Sequence, residues 1–197
     1  MKQPQIPVIL ASSSPYRREL LGRLLPEFQC DSPDIDEAAR PGETAEQLVV
    51  RLAREKAAAV AQRHPGSLVI GSDQAAVLAD GTVLGKPGSV DNAVAQLLRA
   101  SGSRVTFLTG LCLLNSDTGN AQSCCEPYAV QFRQLDEATV RRYVEREQPL
   151  NCAGSFKSEG LGITLFEKFI GDDPNSLIGL PLIRLTDMLR NEGVVLP

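Results

Sequence analysis

Ile6 to Ala11 is a short apolar run that breaks at Ser12-Ser13-Ser14-Pro15, and beyond it Leu20, Leu21, Leu24 and Leu25 recur at helical spacing. The pattern predicts a strand, a turn and a helix, with Pro15 near the first helical position, where its missing N–H would have had no intrahelical partner. Thr44 stands three residues before Gln47, the spacing of a capping box. Leu48, Val49, Leu52 and Val60 then mark the inward face of a helix reaching about His64, and Lys56 falls on the same apolar stripe. A strand is predicted over Ser67 to Ser72, ending at Asp73, and Asp80-Gly81 marks a tight turn before Thr82 to Leu84. A helix from Ser89 to Ala100 is stopped by Gly102. Val105 to Leu114 and Tyr128 to Phe132 flank the turn-rich Asn115 to Asn120, which predicts a long hairpin. Asp136 caps a helix through about Glu147, and a last helix covers Leu182 to Asn191.

Strands and helices interleave without a sustained strand–helix repeat, and neither an internal repeat nor a low-complexity linker divides the chain. The expectation is one α/β domain over residues 1–197 built on a mixed sheet. At 43% hydrophobic over 197 residues the chain can bury a sizeable core. The net charge is only −4, and no stretch concentrates Lys and Arg, so polymeric nucleic acid is not an expected partner. Met1 to Pro7 lacks the apolar core of a signal peptide, and no run approaches the ~18 apolar residues of a membrane span. A cytoplasmic location without a membrane partner is expected.

Chemistry narrows the picture. Ser12, Ser13 and Ser14 with Arg17 and Arg18 sit where a strand turns into a helix, so hydroxyls, backbone N–H groups and guanidinium forks could converge on phosphate. An ordinary serine N-cap followed by two solvated arginines would give the same spacing. The only Gly-Lys pair, Gly85-Lys86, is followed by Pro87 and lacks the preceding glycine of a Walker loop. Asp73 could bind a metal or accept a proton, or simply serve as a turn residue. Lys56 could snorkel, Lys86 could be solvated, and the acidic loop of Asp34, Asp36 and Glu37 could just face water. His64, the only histidine, suits a helix end rather than catalysis. The five cysteines are odd in number and lack zinc spacing; Cys124 and Cys125 on one strand would face opposite ways, and all read as reduced structural thiols.

Taken together, Leu10-Ala-Ser-Ser-Ser-Pro-Tyr-Arg-Arg-Glu-Leu-Leu21, Ala53-Arg-Glu-Lys-Ala57, Ile70-Gly-Ser-Asp-Gln74 and Leu84-Gly-Lys-Pro87 resemble the Maf family of nucleotide pyrophosphatases in order and spacing. The resemblance continues through Asn151-Cys-Ala-Gly-Ser-Phe-Lys-Ser-Glu-Gly160 to Asn175-Ser-Leu-Ile-Gly-Leu-Pro181, nearly the whole chain. It implies a fold like that of the inosine triphosphate pyrophosphatases, a single domain whose mixed twisted sheet and flanking helices form a two-lobed cleft. It implies a small-molecule nucleotide substrate and a divalent cation, Mg²⁺ or Mn²⁺. By the same resemblance Ser12, Ser14, Arg17, Lys56 and Lys86 correspond to phosphate-binding positions. Glu37 and Asp73 correspond to the metal site, with Asp73 also the proton acceptor.

Tyr16, Gln74 and Glu159 depart from the commonest family pattern of Arg, Thr and Gln, at positions linked to substrate choice. This combination resembles the branch that acts on 7-methyl-GTP, whereas Arg, Thr and Gln resemble the branch acting on dTTP and UTP. The base, not the chemistry, is expected to differ. A methylated guanine carries positive charge, which suits a tyrosine ring and a carboxylate. A preference for dTTP or UTP remains an alternative, as does a nucleotide-binding regulator linked to cell division that senses without hydrolysing. A homodimer is left open.

Overall fold

The computed structural model describes residues 6–197; of the segment Met1 to Pro7, in which no signal peptide is expected, the first five positions lie outside the described residues. The chain runs β1 (Val8–Ala11), α1 (Pro15–Gly22), β2 (Gln29–Cys30), α2 (Ala45–Ala61), β3 (Leu68–Leu78) and β4 (Val83–Leu84). It continues through α3 (Val90–Ala100), β5 (Arg104–Asn115), β6 (Ala121–Phe132), α4 (Glu137–Glu147), β7 (Phe166–Ile170), α5 (Pro174–Ile178) and α6 (Leu182–Asn191), with two 3₁₀ turns at Ala153–Ser155 and Leu161–Leu165.

Among the described residues seven strands form one mixed sheet in the order β2-β1-β3-β5-β6-β7, with β4 paired to β3. β1 lies parallel to β2 and β3, with Leu10 opposite Cys30 on one side and Ile70 on the other. β4 and β7 run antiparallel to β3 and β6. An α/β architecture with a mixed sheet is therefore what the alternation of patterns predicts.

The predicted boundaries hold where local chemistry sets them. Thr44 and Gln47 form the reciprocal capping box of α2, and Ser14, Ser89 and Asp136 each cap the helix that follows; such a cap stabilises by about 1 kcal/mol. They move where tertiary contacts intervene. α1 ends at Gly22, so Leu25 is buried beyond the helix rather than on it. α2 ends at Ala61, and His64 lies in the following turn with Nε2 2.9 Å from Asp31 Oδ2. β6 begins at Ala121 and takes in Cys124, Cys125 and Pro127, upstream of the predicted start at Tyr128. β3 does not end at Asp73 but continues to Leu78, placing Asp73 and Gln74 in mid-strand. The physical reason is that both polar side chains find partners there, described below.

Contacts divide the chain into two compact units. One comprises Met1–Asp73, Thr109–Glu126 and Gly179–Pro197; the other comprises Gln74–Leu108 and Pro127–Ile178. In the first, Ile9 and Ala11 of β1 and Val69 of β3 pack with Ala53, Ala57 and Val60 of α2 and with Cys112. In the second, α3 and α4 cover a core that includes Phe107, Phe132, Phe156 and Phe166; Phe156 and Phe166 meet edge to face with centroids 4.7 Å apart. Burial raises the Cys112 and Cys125 thiols to about 11, away from the reactive thiolate, as structural thiols require. Among the described residues no helix is long and apolar enough to cross a membrane.

Candidate active site

β1 ends at Ala11 and the chain folds back at once: the Ser12 N–H donates to the Leu10 carbonyl at 2.9 Å. The Ser14 N–H donates to Ser12 Oγ at 3.1 Å, and Ser14 Oγ in turn accepts from the Arg17 N–H at 3.4 Å. Ser14 is thus the N-cap of α1, with Pro15 in the first turn. The N-cap reading and the phosphate reading do not exclude one another, because a hydroxyl that accepts from the backbone still carries a proton to donate. Ser12 is buried, Ser14, Tyr16 and Arg17 are half-buried, and Ser13 and Arg18 are exposed. Of the two arginines, only Arg17 turns inward.

Arg17 Nε donates to the Gly179 carbonyl at 2.9 Å, and the fully buried Ser72 hydroxyl donates to the same oxygen at 2.9 Å. One carbonyl therefore ties the start of α1 to β3. Gly179 has φ +126°, a conformation that side-chain-bearing residues rarely adopt, and the Cβ it lacks would sit 3.4 Å from Arg17 Nε. With Nε engaged, the terminal amino groups of the guanidinium are the donors that remain. Burial pushes the Arg17 pKa down, while Asp73 and Glu37 pull it back up. Guanidinium stays protonated through such shifts.

Lys56 projects from the buried face of α2, its side chain only 7% exposed. Its Nζ lies 2.7 Å from Asp73 Oδ1 and 2.9 Å from Glu37 Oε1, so one ammonium bridges two carboxylates. This explains how a carboxylate is tolerated in the middle of β3: the lysine offsets a charge that burial would otherwise penalise. The close approach of α2 to β3 depends on Gly71, where a Cβ would lie 2.0 Å from the Ala53 carbonyl oxygen. In the acidic loop, Glu37 alone is brought to Lys56; Asp36 accepts from the Ala38 N–H, 2.9 Å away, as a turn residue does.

Glu37 and Asp73 are hard oxygen donors near a common point, the donor type that suits Mg²⁺ or Mn²⁺. Among the described residues no three His, Cys, Asp or Glu side chains cluster as a metal cage.

The remaining expected residues belong to the other unit. Gln74 Nε2 donates to the carbonyls of Ser176 at 2.8 Å and Leu177 at 3.1 Å, both in α5. Lys86 is exposed in the turn after β4. Glu159 is exposed and accepts from Ser158 Oγ at 3.3 Å. Its loop is anchored by Glu147 of α4, whose carboxylate accepts from the Leu161 N–H at 2.8 Å and pairs with Lys157 Nζ at 3.4 Å. The Lys157 N–H donates to Tyr143 Oη at 3.0 Å. Ser72, Gly179 and Glu147 carry no signal of these roles in the sequence, since carbonyls and loop anchors are defined only by the fold.

Arg17, Lys56, Glu37 and Asp73 are thus gathered at the β1–α1 turn and the middle of β3. The chain belongs to the Maf-like protein family, whose model matches residues 7–192. It is 62% identical over 190 residues to the 7-methyl-GTP pyrophosphatase of Pseudomonas syringae pv. tomato, covering 96% of this chain and 98% of the relative. It is 60% identical over 190 residues to the 7-methyl-GTP pyrophosphatase of Alcanivorax borkumensis, covering 96% of each. The enzyme of that name from Pseudomonas aeruginosa is 62% identical over 190 residues, covering 96% of this chain and 98% of the relative.

Proposed function

We propose that this protein hydrolyses nucleoside triphosphates, 7-methyl-GTP foremost, to the monophosphate and pyrophosphate. The observation that carries the reading is Lys56 held between Glu37 and Asp73. A lysine has three donors; two serve the carboxylates and the third is left for a phosphate oxygen. Arg17, steadied through Nε, and Lys86 offset the charge of the triphosphate and of the leaving pyrophosphate, and Ser12 and Ser14 donate to phosphate oxygens. Such preorganised charge dominates phosphoryl chemistry. Glu37 and Asp73 would hold Mg²⁺ or Mn²⁺, which when bound lowers the pKa of water and screens phosphate charge. Asp73 Oδ1 is engaged by Lys56, and Oδ2 accepts the proton of the water that attacks the α-phosphorus.

For the base, Tyr16 stacks on the cationic 7-methylguanine ring, worth about 0.5–2 kcal/mol, which is too little for sharp discrimination. Glu159 adds acceptors for the guanine N1–H and amino group, which pyrimidines do not offer. The names of the relatives support this substrate. A net charge of −4 without a basic stripe supports a small nucleotide over polymeric nucleic acid, and the cytoplasm is the proposed site of action.

The test is pyrophosphate release from canonical and methylated nucleoside triphosphates with Mg²⁺, Mn²⁺ or EDTA. Metal-dependent release fastest with 7-methyl-GTP is expected. Tight binding without release would replace hydrolysis by nucleotide sensing, and faster release from dTTP or UTP would overturn the base assignment.

A further inference from the structure

The segment after β4 that carries the exposed Lys86 is gripped on both sides of that residue by one helix. Gln96 Nε2 donates to the carbonyl of Gly85 at 3.2 Å, and Asn92 Nδ2 donates to the carbonyl of Pro87 at 3.0 Å. Asn92 and Gln96 stand four residues apart on α3, hence on one face of it. Immediately beyond, the Gly88 N–H donates to the Leu150 carbonyl at 3.1 Å. Gln96 is itself fixed at its other end, because its Oε1 accepts from Ser155 Oγ at 2.5 Å. Ser155 is fully buried with φ +64°, a left-handed conformation uncommon for a serine.

Burial does not account for both bonds. Pro87 is buried and Asn92 satisfies its carbonyl, but Gly85 is exposed, so water would satisfy its carbonyl and the Gln96 amide would keep its rotamer freedom. What the two bonds add is a defined backbone on either side of a residue whose side chain has four rotatable bonds. We infer that Asn92 and Gln96 are positioning residues for Lys86, fixing the origin from which its ammonium reaches the triphosphate. The inference rests on the proposed role of Lys86 in binding phosphate.

The experiment is a set of double-mutant cycles on the full chain: Gln96→Ala, Asn92→Ala and Lys86→Ala, singly and combined. They are read as kcat and KM for 7-methyl-GTP, inhibition by pyrophosphate, and Tm. Gln96→Ala and Asn92→Ala are each expected to lower kcat/KM by about 3–10-fold, the loss of one hydrogen bond, and to weaken pyrophosphate inhibition. In the Lys86→Ala background neither should lower it further. Gln96→Glu, which keeps the acceptor for Ser155 but loses the donor to Gly85, should behave like Gln96→Ala. Losses that persist undiminished without Lys86, or that merely follow Tm, overturn the inference. If Lys86→Ala itself retains full turnover, the phosphate role of Lys86 is wrong and the positioning role goes with it. An impaired Lys86→Ala beside an unimpaired Gln96→Ala overturns the positioning role alone.

Discussion

Lys56 Nζ lies 2.7 Å from Asp73 Oδ1, joining residues on different elements and 17 positions apart in the sequence. An asparagine at position 73 would keep a carbonyl oxygen to accept that N–H but could not take a proton from water. Asp73→Asn is therefore expected to fold and bind nucleotide while kcat falls by about 10²–10⁴-fold. Pyrophosphate release beside calorimetric binding checks this, and near-normal turnover in the variant would remove Asp73 as the proton acceptor.

Gly71 sets how closely α2 lies on β3. Gly71→Val forces a side chain toward backbone, the Ala53 carbonyl oxygen, which cannot rotate away. Overpacking of this kind costs about 1–3 kcal/mol or more, and for a chain of this size each kcal/mol lowers Tm by about 2–4 °C. Turnover should fall further than the lost folded fraction explains, because Lys56 moves away from Asp73. Thermal melts and kinetics on the same samples separate the two effects.

Base preference is expected to reside in Tyr16 and Glu159. Glu159→Gln and Tyr16→Arg should narrow the advantage of 7-methyl-GTP over UTP, together more than singly, by about 10-fold or more for the pair. Ranking 7-methyl-GTP, GTP and UTP by kcat/KM is the measurement. An unchanged ranking in Glu159→Gln would take that residue out of specificity.

Turnover should cease in EDTA and return with Mg²⁺ or Mn²⁺. Glu37 has a side chain 58% exposed, so Glu37→Gln is expected to leave Tm nearly unchanged while raising the metal concentration needed for half-maximal rate. Titrating metal against rate in both proteins decides it; identical curves would exclude Glu37 from the metal site.

Away from the site, Asp31 is held down to about 2, chiefly by the hydrogen bond from Arg63 and then by that from His64. Glu43 is held down to about 2, chiefly by the hydrogen bond from Arg51. Unfolded, such carboxyls titrate near ~4. The folded chain binds these protons less readily, so the stabilisation is complete above about pH 5 and fades as pH falls toward 2. Urea unfolding of the native protein and of Asp31→Asn should differ most at pH 7, with the gap narrowing below pH 5 and closing only below about pH 2. A gap of constant size would assign the loss to something other than ionisation.

The capping box and the N-caps were legible because they are chemistry between residues three apart, as at Thr44 and Gln47. The length of β3 was not: a charge in an apolar run reads as an end, and only Lys56 of α2 makes Asp73 tolerable inside the strand. β7 escaped notice because Glu167, Lys168 and Phe169 are all exposed and leave no alternation to read. In the candidate site, the residue types that carry charge could be picked out, and Arg17, Glu37, Lys56 and Asp73 do come together. Ser72 and Gly179 could not, since a backbone carbonyl of Gly179 and the Ser72 hydroxyl that donates to it are brought together only by the fold. Asn92 and Gln96 look in sequence like any solvated amides on a helix.

Asp73 and Gln74 are consecutive residues of one extended strand, so their side chains leave it in opposite directions, one to a lysine on α2 and the other to backbone carbonyls of α5. Neither side chain can be exchanged for the other by sliding the chain. Inserting one residue ahead of Asp73 in β3 would turn its carboxylate toward the two carbonyl oxygens, a repulsive match, and deleting one would put the Gln74 amide at Lys56 in place of the charge that pairs with it. β3 therefore tolerates substitution far better than any change in its length, and lineages of this protein should vary in the loops around the strand while keeping its residue count.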